Sequence, residues 1–345
     1  MAESVKKPIA ASLHILSVPA PEAQRINEDA WLALEAAGPP GVIIAAVIDG
    51  AGARLTLPPL QAYLRQNHHG LTAAAFAASF VRDTLLSRLA ADPAQPLKTA
   101  LLAANAGLRR AVAAAVGNLS PARVLQLAGE PPGGDLRRAR LALPAAVVTL
   151  ARLNRTAQSL EFAHAGDTAL LEIRRDGETI RHTADQMGRY DRATLQLAAR
   201  LQHTHALPHF AGAVRLADVC RFNIENGLRH NYVDQQGRPR PGEGCGVING
   251  LPELEAYIQT GTIPLDPRRT AAVCLHTDGL ELPAPLPETP AQSQARLRQT
   301  GALLTEGGPG RLFEAVHSML AADAHFDQYP RLKPQDDATG IYLPL

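Results

Sequence analysis

Residues 41–52 read GVIIAAVIDGAG, a continuous apolar run that ends in an acidic turn. The run is short and rich in β-branched residues, which favours a buried strand over a helix. Asp-Gly directly after such a run is typical of a turn, because glycine lets the backbone reverse tightly. The same arrangement, a buried strand with a carboxylate at its end, recurs along the chain and guides the interpretation of the whole sequence.

Four further predicted strand ends carry acids, and these are Glu28 with Asp29 in RINEDAW, Asp167 after LEFAHAG, Asp278 after TAAVCLHT, and Asp336 with Asp337 before ATGIYLPL. Carboxylates buried alone are costly and several together repel, and a divalent cation removes both problems. An all-oxygen ligand set without cysteine or a clear histidine favours Mg²⁺ or Mn²⁺ over zinc. The alternative is five separate turns with solvated acids, and composition and spacing leave both interpretations open.

Strand and helix patterns are segregated along the chain. Helical spacing predicts two consecutive helices at 71–91 and 97–116, and residues 117–140 are predicted as a loop. Strand patterns with hairpin turns follow at 145–153, 159–164, 168–174 and 178–182, which predicts a β-meander. Later patterns predict helices near 192–202, 251–259 and 309–322, a Pro-rich loop at 282–291, and strands at 270–276 and 338–344. Segregated elements of this kind indicate an α+β fold with largely antiparallel sheet.

The composition limits the classes of function. Lys and Arg number 34 against 33 Asp and Glu, so the chain lacks the basic excess of a typical nucleic-acid-binding protein. Three cysteines without a CxxC pair argue against a disulfide scaffold and a cysteine–zinc module. No apolar run reaches the about 18 residues of a membrane span. The N-terminal apolar stretch is interpreted as a first strand rather than a signal peptide, which predicts a cytoplasmic protein.

The acidic motifs occur in an order that resembles a known family. NEDAW (27–31), VIDGAG (47–52), AGDT (165–168), HTDGL (276–280) and DDATGIYL (336–343) resemble, in the same order, the motifs of the metal-dependent serine/threonine protein phosphatases of type 2C. No one of the motifs is specific, but five in the right order and strand context form a strong signal. The resemblance covers residues 10–183 and 246–345, and residues 184–245 match poorly.

The resemblance implies a single domain over residues 1–345, built as a four-layer α-β-β-α sandwich with two central antiparallel sheets and an insertion at 184–245. It further implies a bacterial-type enzyme that hydrolyses phosphoserine and phosphothreonine of partner proteins. Two ions of Mn²⁺ or Mg²⁺, with a weak third, would be the cofactor, and a hydroxide bridging two ions would attack phosphorus in line. Neither nucleic acid nor membrane is expected as a partner, and the oligomeric state is not predicted.

Position by position, the resemblance implies metal-ligand roles for seven residues. They are Asp49 as the bridge between both ions, Gly50 through its carbonyl, Asp278 and Asp336 on the second ion, Glu28 with Asp29 at metal-bound waters, and Asp167 with Asp278 at the third ion. Catalysis is expected to depend on Asp49 and Asp278, together with Arg25 as the phosphate-binding cation. The family places that arginine one residue earlier, at Gln24, and Arg54 is a substitute candidate.

Two departures from the family pattern affect the chemistry. Ala51 stands where many eukaryotic members carry a histidine, and Leu282, beside Glu281, stands where some members carry a further aspartate for the third metal. A non-catalytic binding or sensing module and a phosphohydrolase of small metabolites are the alternative functions. HTHALPH at 203–209 also offers histidines at zinc-compatible spacing, but without a fourth ligand nearby.

Overall fold

The structure is a computed structural model that describes residues 13–21, 26–36, 41–52, 55–133, 135–217 and 230–345. Within these residues the strands are β1 His14–Val18, β2 Ala30–Glu35, β3 Val42–Ala51, β4 Ala145–Asn154, β5 Ser159–Ala165, β6 Ala169–Arg174, β7 Thr179–Arg181, β8 Gln259–Pro264, β9 Thr270–His276 and β10 Ala338–Pro344. They form two five-stranded sheets, one ordered β1-β10-β9-β6-β7 and the other β2-β3-β4-β5-β8. Every named strand pair is antiparallel.

The described α-helices are α1 Pro58–Asn67, α2 Ala73–Ala91, α3 Leu97–Val116, α4 Pro121–Leu127, α5 Gly188–Thr204, α6 Phe210–Ala217 and α7 Pro290–Ala322. Short 3₁₀ turns lie at Leu136–Ala142, Pro252–Ala256 and Asp278–Leu280. The predicted helical pair is confirmed as α2 and α3. None of the helices in the described part of the chain combines the length and the apolar character that a bilayer-spanning segment requires.

Strand β3 shows how the layers form. Ile44 and Ile48 belong to the apolar cluster shared with α2 and α3. Ile43 and Val47 belong to the cluster between the two sheets. Because side chains alternate along a strand, Asp49 continues the face that lies between the sheets. The strand therefore carries a carboxylate out of an apolar interior at the point where the sheets end.

Helix α7 covers the opposite face of the sheet pair. Its residues Leu304 and Leu312 lie in one buried cluster with Leu171 of β6 and Cys274 of β9. Cys274 is fully buried, as predicted for a small apolar residue inside a strand. With α2 and α3 on the far side, this packing confirms the predicted four-layer α-β-β-α sandwich.

The predicted β-meander is wrong at one point. β5 pairs with β4 and β8, whereas β6 pairs with β7 and β9 in the other sheet. Gly166, with φ of 105°, begins the turn that carries the chain across through Asp167 and Thr168. A Cβ at Gly166 would lie 2.2 Å from the side chain of Val147 on β4, so the turn requires glycine. This sheet-crossing turn, residues 166–168, places Asp167 at the end of both sheets.

Other boundaries also differ from the predictions. The predicted loop at 117–140 contains α4 and the start of a 3₁₀ turn that Asp135 caps by accepting the N–H of Arg137 at 3.0 Å. The predicted helix at 309–322 is only the second part of α7, which begins earlier with a capping box formed by Thr289 and Gln292. Gly307 and Gly308 interrupt its helical backbone. The short elements β2, β8 and α1 were not predicted.

Helices α5 and α6, in the poorly matched region, pack against the chain that leads to β10. Phe210 donates its N–H to Asp327 at 2.9 Å and shares a buried apolar cluster with Phe326. The helix predicted at 192–202 lies within α5. His209, one of the histidines considered for zinc, instead contacts Asp327 at 2.9 Å and stacks on His325.

A buried carboxylate, Asp323, organises the loop between α7 and β10. It accepts backbone N–H groups from Asp327 at 2.9 Å, Gln328 at 3.1 Å and Tyr329 at 2.9 Å, and it pairs with Arg331 at 2.9 Å. Burial raises the pKa of Asp323, but these hydrogen bonds outweigh it and the pKa is lowered. A carboxyl group whose pKa falls on folding stabilises the protein above its unfolded pKa, and that stability is lost as the pH falls.

We therefore expect Asp323→Asn to lower the free energy of unfolding by about 2–3 kcal/mol at pH 7, because charged hydrogen bonds are lost and Arg331 loses its negatively charged partner. Urea unfolding at several pH values measures this, and the difference between variant and wild type should shrink below about pH 4. Asp83→Asn, at a side chain that is 65% exposed, is the control. A variant as stable as wild type at pH 7 would contradict the role of Asp323.

Candidate active site

Two predicted acids lie side by side at one end of the sheet β2-β3-β4-β5-β8. Ala30 of β2 pairs with Ile48 of β3, so Asp29 and Asp49 occupy the next position of the same register. Asp49 is partly exposed although the strand before it is buried. Both carboxylates therefore lie at the open end of the sheet, next to the space between the sheets.

Three more acids lie at the same end of the sandwich, next to strands of the sheet β1-β10-β9-β6-β7. β9 lies between β10 and β6, so Asp278, after β9, is flanked by Asp336, before β10, and by Asp167, before β6. Gly279 packs tightly here, since a Cβ on it would lie 1.9 Å from the carbonyl oxygen of Asp337. The antiparallel order thus brings together residues that are far apart in the sequence.

Burial and mutual repulsion raise the pKa of three of these carboxyl groups. Burial is the largest cause at Asp49, followed by the negative charges of Asp29, Asp278 and Asp167. At Asp167 the causes are burial and then the charge of Asp278. The pKa of Asp29 is raised to about 7, mainly by burial, while a hydrogen bond from Thr277 opposes the shift. The carboxylates of both sheets therefore interact electrostatically as one group.

Two carboxylate oxygens of this group, Asp167 Oδ1 and Asp278 Oδ1, are buried without a hydrogen-bond partner among the described residues. Buried polar atoms almost always have partners, so these oxygens indicate a cation. In the described ranges, no three His, Cys, Asp or Glu side chains form a metal-binding group by themselves. Mg²⁺ keeps several waters and takes one or two carboxylates, so a site for it does not need three of these side chains.

At Gly50 the backbone of β3 packs closely against the residue that precedes Asp29 and against helix α2. A Cβ at this position would lie 2.6 Å from the carbonyl oxygen of Glu28 and 2.8 Å from the backbone of Ala74 on α2. Real Cβ atoms do not approach backbone atoms so closely, so no larger residue fits without movement of the backbone. The close approach sets Glu28 beside Gly50, as the predicted metal site requires.

Asp337 has a structural role that the sequence analysis did not assign. It is buried, with Oδ1 accepting the N–H of Ala20 at 2.7 Å and Oδ2 accepting the N–H of Glu28 at 2.8 Å. Its own N–H donates to Asp336 Oδ1 at 3.0 Å. Asp337 therefore ties the last acidic motif to the first, and Asp336 remains the predicted metal ligand of the two. In the sequence, the pair of aspartates in DDATG was the feature that could have indicated two different roles.

Two threonines also support the site, and sequence reasoning missed both. Thr277 Oγ1 donates to Asp29 Oδ2 at 2.8 Å, and Thr339 donates its N–H to Thr277 Oγ1 at 3.0 Å. These bonds link the ends of β9 and β10 to the carboxylate at the start of β2. Thr277 is part of the quoted HTDGL motif, but a threonine in a turn has many common uses.

A buried histidine holds the sheet-crossing turn. His164 Nε2 lies 3.1 Å from the carbonyl oxygen of Gly166 and 2.9 Å from that of Ala184, and Nδ1 lies 3.0 Å from Thr149 Oγ1. Carbonyl oxygens only accept, so Nε2 carries the proton and Nδ1 accepts from the threonine. Burial lowers the pKa of His164 to about 4, which keeps it neutral. Its apolar sequence context gave no signal of this role.

Arg181 joins the turn at Asp167 to the turn after β9. Its guanidinium donates to the carbonyl oxygen of Asp167 at 2.6 Å and to the Glu281 carboxylate at 2.7 Å. Glu281 is thus engaged by Arg181, and Leu282, at the family's further aspartate position, is buried. The predicted phosphate-binding Arg25 and its substitute Arg54 lie outside the described residues.

The poorly matched region borders the site. Gln186 Oε1 accepts the N–H of Gly246 at 2.7 Å and the N–H of Gly166 at 3.3 Å. The charge of Asp191, in the first turn of α5, adds to the causes that raise the pKa of Asp167. Residues after β7 therefore shape the surroundings of Asp167 directly.

Residues 22–320 match the protein phosphatase 2C family, so the chain belongs to this family. The matched range includes four of the five acidic motifs and ends before Asp336. No curated protein matches the chain significantly by sequence.

Solved bacterial structures of similar fold include serine/threonine phosphatase Stp1 from Staphylococcus aureus, 15% identical, covering 96% of this chain and 94% of that chain with a TM-score of 0.48. The Mycobacterium tuberculosis serine/threonine phosphatase PstP/Ppp is 16% identical, covering 97% of this chain and 99% of that chain with a TM-score of 0.44. RsbX, in complex with magnesium, is 12% identical, covering 96% of this chain and 92% of that chain with a TM-score of 0.43.

Proposed function

We propose that this protein is a metal-dependent phosphatase that hydrolyses phosphoserine and phosphothreonine in partner proteins. The observation that carries the proposal is the convergence of carboxylates from both sheets, with unpartnered buried oxygens on Asp167 and Asp278. Membership in the protein phosphatase 2C family supports the same activity.

Two ions of Mn²⁺ or Mg²⁺ are the proposed cofactor. The residues proposed to hold them are Glu28, Asp29, Asp49 and Gly50 at the end of one sheet, and Asp278 and Asp336 at the end of the other, while Asp167, together with Asp278, is proposed for a weak third ion. Divalent cations supply Lewis acidity and neutralise the charge of a phosphoryl group. Asp49 is proposed as the ligand that both ions would share, and the influence of acids from both sheets on its pKa supports this central position.

The residues of the chain itself position these ligands. The hydroxyl of Thr277 donates a hydrogen bond to the carboxylate of Asp29. The carboxylate of Asp337 accepts the N–H of Glu28, and the guanidinium of Arg181 donates to the carbonyl oxygen of Asp167. Such fixed groups need no reorganisation during the reaction, which favours catalysis by positioning and electrostatics. Burial, and then the charge of the Asp167 carboxylate, raise the pKa of the Cys245 thiol, which disfavours the thiolate that a cysteine nucleophile requires.

Hydrolysis of p-nitrophenyl phosphate and of a phosphothreonine peptide tests the proposal, with EDTA, Mg²⁺ and Mn²⁺ compared in wild type and Asp278→Asn. We expect activity that requires Mn²⁺ or Mg²⁺ and is lost in the variant, while Asp83→Asn retains it. A folded wild type that is inactive with every metal would favour a binding or sensing module instead. Hydrolysis of p-nitrophenyl phosphate without hydrolysis of any phosphopeptide would favour a small-metabolite substrate.

Asp167→Ala is expected to lower turnover by about tenfold or more while changing the Kd for Mn²⁺ by less than about threefold. The reason is that Asp167 lies beside Asp278 at the end of one sheet, whereas Glu28 and Gly50 lie at the end of the other. Steady-state kinetics and calorimetric titration with Mn²⁺ measure the two effects separately. An equal loss of metal binding and turnover would contradict this division of roles.

A further inference from the structure

Lys333 places a protein-borne positive charge at the acidic group. Its ammonium pairs with the carboxylate of Asp336, the proposed ligand that precedes β10. Lys333 is 50% exposed in its side chain, whereas that of Asp336 is only 15% exposed. The ammonium therefore reaches from the rim to a carboxylate that lies largely inside the protein.

The charge of Lys333 also acts on the central carboxylate. Among the described residues, Lys333 lowers the pKa of Asp49, against the larger effects of burial and of the neighbouring acids. Lys333 therefore pairs with Asp336 and also acts electrostatically on the proposed shared ligand. One ammonium partly neutralises a group of carboxylates that repel one another.

The loop that carries Lys333 is held on both sides. Two residues before it, Arg331 is anchored on the buried carboxylate of Asp323 at 2.9 Å. Two residues after it, Gln335 Oε1 lies 3.0 Å from His317 Nδ1 on α7. Because both neighbours are anchored, the position of the lysine backbone is set by the fold.

We propose that Lys333 is a tethered counter-ion, which occupies Asp336 in the metal-free protein and is displaced when a divalent cation binds there. The inference rests on the proposed function, because it requires a metal at this site. A 2+ ion and the ammonium compete for the same oxygens, so the lysine stabilises the metal-free state and weakens metal binding. Metal affinity is then set partly by a residue that is not itself a ligand.

A comparison of Lys333→Gln, Lys333→Arg and Lys98→Gln tests the inference by calorimetric titration with Mn²⁺. Lys98 is the matched control, because it also pairs with a carboxylate, Glu255 at 3.4 Å, but lies on α3 outside the acidic group. We expect Lys333→Gln to tighten Mn²⁺ binding by about threefold or more. Lys333→Arg keeps the charge and Lys98→Gln removes one elsewhere, so both should stay within about twofold of wild type.

Thermal unfolding supplies a second measurement, because Lys333→Gln should lower stability without metal but increase the stabilisation by metal. In EDTA, Lys333→Gln should melt below wild type because the carboxylates lose their counter-ion, and saturating Mn²⁺ should raise its melting temperature by more than it raises that of wild type. A residue that only supported the loop would lower stability in both states. The excess affinity of the variant should shrink as NaCl is raised from about 50 to about 500 mM.

The failure of this inference can be told from the failure of the proposed function. If wild type binds Mn²⁺ but Lys333→Gln binds it equally or more weakly, the counter-ion role is overturned and the metal site stands. If wild type binds no divalent cation, the proposed function fails and the inference fails with it. Equal tightening in Lys98→Gln would reduce the effect to net charge and would also overturn the role of Lys333.

Discussion

Asp49→Asn is expected to abolish tight binding of Mn²⁺ and to reduce phosphatase turnover by at least about 100-fold. Asp49 follows the buried residues Val42 to Ile48 of β3, on the face between the sheets, and the acids of both sheets interact with it. An amide keeps the shape of the side chain but is a poor ligand for a hard cation. Calorimetric titration and phosphopeptide hydrolysis measure the two losses.

The same substitution should stabilise the metal-free protein. Burial and repulsion raise the pKa of Asp49, so folding is opposed by its ionised form near neutral pH, and the neutral amide removes that penalty. In EDTA the variant should therefore melt above wild type, and addition of Mn²⁺ should no longer raise its melting temperature. Asp83→Asn, far more exposed, should match wild type in both respects. Retained activity in the folded Asp49 variant would exclude the proposed metal site.

Gly50→Ala is expected to lower the free energy of unfolding by about 2–4 kcal/mol and to weaken metal binding although every carboxylate is retained. The added methyl group would lie 2.6 Å from the carbonyl oxygen of Glu28 and 2.8 Å from the backbone of Ala74. Backbone atoms cannot rotate away as a flexible side chain can, so β2, β3 and α2 must shift. That shift separates Glu28 from the Gly50 carbonyl, which are proposed to serve the same ion.

Gly52→Ala, two residues further on, is the matched control. A Cβ there meets nothing within 4 Å, so its stability should stay within about 0.5 kcal/mol of wild type. Urea unfolding of both variants in EDTA separates packing from metal binding, and titration with Mn²⁺ then reports the site. Equal stability of the two variants would show that the contact around Gly50 relaxes easily.

The fold was predictable where a pattern is local. The β-branched run before Asp49 and the helical spacing of α2 and α3 are such patterns, and the structure confirms them. Strand pairing is not local, because alternation gives the face of a strand and not its neighbour. For that reason the crossing at Gly166 was missed, although the motif that contains it was recognised.

The candidate site shows the same limit. The acids could be found because each follows or precedes a strand, and the order of their motifs resembled a family. The roles of Asp337 and His164 could not be predicted. Asp337 binds a backbone N–H at the other end of the chain, and His164 binds a backbone carbonyl oxygen, which no sequence pattern marks. Arg25 remains a prediction, because it lies outside the described residues.

The pairing of β1 with β10 has a consequence for the synthesis of the protein. Ser17 on β1 contacts Thr339 on β10 across 322 positions of sequence, and Asp337 holds Ala20 and Glu28 across similar spans. A ribosome releases the first strand long before its sheet partner exists. The growing chain therefore carries an unpaired first strand and an acidic group without Asp336 until the last strand emerges, and a polypeptide arrested earlier would be without the proposed phosphatase activity.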